Sequence, residues 1–178
     1  MKGAPAGKAK PKSAFQQAVE ATPDVCGGFR PGLQALGNYS DKVRATDNGL
    51  LSGSVDIDKT TKAVYINENR WDFTVGYDNY ACFVEIHPAS TSEVDVVLKK
   101  LEWLKKWLQH KAPRIREMKP KHINAYYWVF TKGNGILKTS PQYRQLAACG
   151  LKITRLLTLD NDGCVESKNR RGKENSGR

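Results

Sequence analysis

The chain has 178 residues, 39% of them hydrophobic, and no apolar run near the roughly 18 residues needed to cross a bilayer. One globular domain with a sizeable core is expected, and a membrane-spanning protein is not. The net charge of +11 points to an anionic partner.

The charge is unevenly placed. Residues 1–12 carry four lysines and no acid, and residues 164–178 carry five basic and two acidic residues. Between 99 and 121 there are nine Lys/Arg against two acids. The expected division is a disordered basic tail over 1–12, one α/β domain over 13–163 and a second disordered basic tail over 164–178. The N-terminal lysines have no apolar segment behind them, so a secretory signal is not expected and the cytoplasm is the expected location. Cys26, Cys82, Cys149 and Cys164 form no C-x-x-C pair. That spacing argues against zinc, and all four are expected to be free thiols.

In chain order, Ser13 caps a short helix over Ala14 to Ala21, which carries Glu20. Pro31 suits the first turn of a second short helix, with Leu33 and Leu36 inward and Gly37 as its stop. Leu50 to Ile57 and Ala63 to Asn67, joined by residues 58–62, read as a hairpin. Asp56 and Asp58 alternate with Val55 and Ile57. They are candidates for a second acidic contribution to a site, or residues that hold a turn. Arg70 to Tyr77 alternates as a half-buried strand with Asp72 on its polar face.

Ala81 to Ile86 is nearly continuous in apolar residues, as in a central strand buried on both faces. Glu85 interrupts it. A buried carboxylate is costly unless it is paired or binds a cation. Glu85 therefore marks either a functional site or a salt bridge to Arg70 or a helix lysine. His87 lies two residues on, on the same face of the strand, where its imidazole is a candidate ligand or acid–base group.

Ser90-Thr-Ser-Glu93 matches a capping box. A long helix from about Ser90 to Lys111 follows, with Val94, Val97, Leu98, Leu101, Leu104 and Leu108 as its apolar stripe. Trp103 and Trp107 lie one turn apart and either widen that stripe or stack on bases. Pro113 ends the helix. Ile123 to Thr131 is a further buried strand, Ile136-Leu137 a short return strand, Pro141 to Cys149 a helix and Leu151 to Leu159 a last strand.

This order of helix, three strands, long helix, strand, helix and strand resembles the PD-(D/E)XK nuclease superfamily over roughly residues 13–159. The resemblance implies a restriction-endonuclease-like mixed sheet of about five strands flanked by helices. Asp72 matches the first acid of the motif and Glu85 the second, and His87 stands where the motif lysine usually does. Lys99 or Lys100 on the following helix could replace that lysine, and Glu20 could fill the first-helix glutamate of some members. The implied chemistry is Mg²⁺- or Mn²⁺-dependent hydrolysis of a phosphodiester, with Asp72 and Glu85 as metal ligands. His87, Lys99 or Lys100 would act on the water or the transition-state charge.

Lys105, Lys106, Arg114, Arg116, Lys119 and Lys121 are the expected contacts to the phosphate backbone, of DNA in preference to RNA. The bland reading of the same stripe is a solvated helix face. A non-catalytic nucleic-acid-binding or protein-interaction subunit, acting as a homodimer or with a partner protein, is the alternative on the same fold.

Overall fold

The computed structural model describes residues 11–166, with side chains as far as Gly163. Residues 1–10 and 167–178, which hold most of both expected tails, lie outside it.

Ser13 accepts a hydrogen bond from the Gln16 amide and caps α1, Ala14–Glu20. The chain then makes β1, Phe29–Arg30, and an irregular 3-10 stretch over Gln34–Lys42 that kinks at Gly37. Two further strands follow, β2, Val43–Ala45, and β3, Leu51–Asp56.

The expected hairpin does not form. After β3 the chain turns into α2, Ile57–Thr61. Asp56 accepts from the Lys59 amide at 2.8 Å, and the Thr60 and Thr61 hydroxyls donate back to the Asp56 and Ile57 carbonyls. Local side-chain bonds of this kind outcompete a strand. Val64 and Ile66 of the expected second arm are exposed.

β3 pairs instead with β4, Phe73–Tyr77, which pairs antiparallel with β5, Tyr80–His87. The expected polar face of β4 is also corrected. Thr74 is fully buried, with its hydroxyl on the Cys82 carbonyl at 3.0 Å.

The long helix is α3, Val94–His110. Its capping box does not close, because the Ser90 hydroxyl bonds Ser92 and Glu93 turns towards His87. Pro113 does not simply end α3 but starts α4, Pro113–Glu117. The α3–α4 crossover makes β6, Tyr126–Phe130, parallel to β5. α5, Pro141–Ala148, is capped by Ser140 as expected, and β7, Leu151–Thr154, pairs parallel with β6. Ile136 is buried, but residues 136–137 form no strand.

The expected last strand breaks in two at residues 155–156. β8, Leu157–Asp160, leaves the main sheet, pairs parallel with β2, and forms a hairpin with β9, Gly163–Glu166. The C-terminal tail expected from residue 164 therefore starts as a strand.

The result is a mixed α/β fold, with a six-stranded sheet ordered β1-β3-β4-β5-β6-β7 and a three-stranded sheet ordered β2-β8-β9. Helices cover one face of the large sheet, where Phe15, Val19, Phe83, Leu101, Leu104 and Trp128 pack. The small sheet covers the other, where Leu157 and Leu159 meet Phe73, Val75, Val84 and Val129. Cys82 points to this second face and is disulfide-bonded, which corrects the reading of four free thiols; Cys26 and Cys149 are free. No described helix is long and apolar enough to cross a membrane.

α1 lies against β4 at Gly76, where an added Cβ would come within 2.3 Å of the Phe15 ring. Gly76→Ala is expected to destabilise the fold by about 1–3 kcal/mol through overpacking. Urea unfolding measures this, and an unchanged midpoint would contradict the helix placement.

Candidate functional site

β4 and β5 are antiparallel neighbours with Phe73 opposite Val84. That register brings Asp72, just before β4, beside Glu85 on β5. Side chains alternate along a strand, so Glu85 shares the helical face with Phe83 while Val84 and Ile86 face the small sheet.

Asp72 and Glu85 converge on the same group, the ammonium of Lys100 from the middle of α3. Lys100 Nζ donates to Asp72 Oδ1 at 2.8 Å and to Glu85 Oε1. The other two oxygens are also occupied. The Asp72 amide donates to Glu85 Oε2 at 3.2 Å, and the Ile86 amide to Asp72 Oδ2 at 3.0 Å.

Glu85 is fully buried, whereas the Asp72 and Lys100 side chains keep 20% and 16% exposure, so the constellation opens to solvent through those two. Burial, followed by the neighbouring Asp72 carboxylate, pushes the Glu85 acid up to about 8 despite Lys100. Burial alone would weaken the Lys100 ammonium, but Glu85 and Asp72 outweigh it and hold the amine above its ordinary value.

The other expected site residues lie elsewhere. His87 Nδ1 is 3.5 Å from Glu93 and 3.2 Å from the Pro88 carbonyl, so it ties the strand end to the start of α3. Lys99 is exposed on the far side of α3 from the apolar stripe. Glu20 pairs with Lys12 and Gln16 at the surface. Asp58 pairs with Arg70 at 2.9 Å, which leaves Lys100 as the cation facing Glu85. Asp56 caps α2; burial pushes its acid up, and Asp58 and Asp72 add to that.

The basic residues separate into two kinds. Lys105 and Lys119 place their ammonium groups 5.2 and 5.7 Å from the centre of the Tyr126 ring. Burial lowers Lys119, and the positive charges of Arg116 and Lys105 lower it further, so three cations crowd one spot. Lys106 pairs with Glu102 at 2.7 Å on the surface, while Arg114 and Lys121 are exposed.

Two converging carboxylates are the ligand number by which proteins commonly hold Mg²⁺, which keeps several waters and takes further oxygens from a phosphate. In this structure the Lys100 ammonium occupies the space between them. Among the described residues no cluster of three or more His, Cys, Asp or Glu is arranged for a metal. Any metal here would therefore rest on Asp72 and Glu85 alone among acidic side chains.

No protein-family model, curated protein or solved structure matches the chain.

The buried triad should govern pH-dependent stability. An acid raised on folding stabilises fully below its unfolded value near 4.5, and that stability is lost as pH rises towards about 8. Thermal melts across this window should show the decline in wild type and a flatter profile in Glu85→Gln; equal profiles would contradict the raised acid. Lys100→Met should cost about 3 kcal/mol, the low end for breaking a buried pair because Asp72 reaches solvent, as read by urea unfolding.

Proposed function

We propose that the Asp72–Glu85–Lys100 constellation is the centre of a metal-dependent nuclease that hydrolyses phosphodiester bonds, with DNA as its substrate. The observation that carries this reading is the convergence of both carboxylates on one Nζ at the solvent-reaching end of the central strands. It also matches the resemblance noted in the sequence, with Lys100 in the place of the motif lysine.

Asp72 and Glu85 would hold Mg²⁺ or Mn²⁺. When bound, such an ion supplies charge that polarises the phosphate and makes water a better nucleophile. Lys100 places a fixed positive charge where the pentacoordinate transition state gains negative charge. In the hydrolysis a water oxygen bonds to phosphorus, one ester P–O bond breaks, and the water proton ends on the leaving oxygen. The raised Glu85 acid gives the site a group that exchanges protons near neutral pH. Lys105, Arg116 and Lys119 would take the phosphate backbone at the opposite end of β5 and β6.

A second reading has its own support. Every carboxylate oxygen of Asp72 and Glu85 already has a donor, so the triad also serves as a clamp between α3 and the sheet in a protein that binds nucleic acid without cutting it.

A cleavage assay on plasmid and single-stranded DNA decides between them. Activity should require Mg²⁺ or Mn²⁺, vanish with chelator, and fall by about 10²–10³-fold in Asp72→Asn and Glu85→Gln, by analogy with removing one electrostatic group from an active site. Cleavage that persists in folded Glu85→Gln would falsify the assignment. Salt-dependent binding without cleavage would favour the clamp.

A further inference from the structure

α3 carries a second feature that phosphoester hydrolysis does not use. Trp103 and Trp107 stack with 5.9 Å between ring centroids and 9° between planes, and Tyr65 meets Trp103 edge-on at 5.4 Å. Asp24 Oδ2 accepts from both the Tyr65 hydroxyl and Trp107 Nε1, at 2.7 and 2.9 Å, which fixes both rings. Trp107 is buried, but Trp103 and Tyr65 keep partial exposure. The three rings line a groove of about 250 Å³, with Lys106, Lys111 and one acid, Glu68, at its rim. That is below the roughly 300–1,000 Å³ of pockets that enclose drug-sized ligands, and it suits one planar ring.

Both walls of the groove lead back to the carboxylates. Trp103 and Trp107 follow Lys100 by three and seven residues, hence on the same side of α3, about 4.5 and 10.5 Å along its axis. Tyr65 belongs to the segment that runs through Arg70 into Asp72. The Arg70 guanidinium accepts no freedom there, since it donates to the Tyr65, Ile66 and Glu68 carbonyls and to Asp58. Groove and triad are therefore carried by the same two segments, α3 and the chain that leads into β4.

We propose that this groove is a stacking subsite for an unpaired nucleobase, so that the substrate is nucleic acid with a single-stranded segment beside the bond to be cut. The assignment rests on the nuclease reading for what lies next to the groove, and on the groove itself for the base. A paired base keeps its faces in the duplex stack; only an unpaired one offers a face to Trp103. Every base has such a face, so the subsite selects strandedness and not sequence. The lysines on the rim complement the phosphates that flank the seated base.

The test uses the full chain carrying Glu85→Gln, in chelator, so that nothing is cut. Intrinsic tryptophan fluorescence is followed while a short oligothymidylate, or a blunt duplex of equal length, is added. The oligothymidylate should quench the fluorescence and bind about tenfold tighter than the duplex. Adding Trp103→Leu should weaken that binding about tenfold, and Trp103→Phe should restore most of it, with melts confirming the fold of each. Absence of quenching by oligothymidylate, equal affinity for the duplex, or unchanged affinity in folded Trp103→Leu would each overturn the subsite. The nuclease reading fails separately. A wild-type protein that cuts nothing yet binds oligothymidylate through Trp103 keeps the subsite and loses the enzyme, and one that cuts but binds both strand types alike does the reverse.

Discussion

The Lys100 ammonium is the contact on which the arrangement of the central strands depends. Two carboxylates side by side at a sheet end repel each other, and one of them, Glu85, has no access to water. Removing such a charge from water costs several kcal/mol unless a partner and hydrogen bonds compensate. Lys100 and two strand amides supply that compensation, and each demands a particular geometry. The Asp72 and Ile86 amides reach the carboxylates only in the observed β4–β5 register. A slip of one residue would turn Glu85 to the small-sheet face, among Phe73, Val75 and Tyr127, and away from Lys100, and would turn Val84 and Ile86 to the helical face. Lys100 reaches both acids only if α3 lies over these strands in one rotation about its axis. Strand register and helix phase are thus fixed together by one group.

The same constraint divides the molecule into two unlike halves. Against the small sheet the packing is aliphatic and aromatic. Against the helices it contains the triad and, towards the start of β6, the three cations around Tyr126. α3 runs back from the end of β5 to the start of β6, so acidic and basic ends of the surface are joined by one helix. In the proposed function, that polarity would give an extended anion a cation-holding end where its bond is reached and a positive end where its backbone is held.

Much of this was legible in the residues. The nearly continuous apolar run from Ala81 to Ile86 announced a strand buried on both faces, and the glutamate that interrupts it announced a paired charge. Asp72 followed from alternation along the preceding strand. The choice between Lys99 and Lys100 was also available. The stripe of Val97, Leu101 and Leu104 places Lys100 at its margin, one turn from Leu104, and Lys99 on the opposite side. What the sequence did not disclose was non-local. The break of the last apolar run into β7 and β8 depends on a second sheet that begins with β2 far upstream. The loss of the hairpin after β3 came from hydroxyl and carboxylate bonds within residues 56–61, which compete locally with an alternating apolar pattern.

His87 shows why spacing along a strand is weaker than geometry across elements. It shares a face with Glu85 and stands where the resemblance described in the sequence analysis implies a lysine. Its ring instead lies at Glu93, because the chain turns at Pro88 and α3 starts directly over the strand end. The cation comes from α3, at Lys100, two turns further along the chain than Glu93. A lysine on a helix can approach two strands at once, which a residue on β5 cannot do, since its side chain leaves the sheet beside its own strand. Lys100 is therefore placed to bridge Asp72 and Glu85 together. The position two residues after Glu85 is left to hold the strand to the helix that carries the lysine.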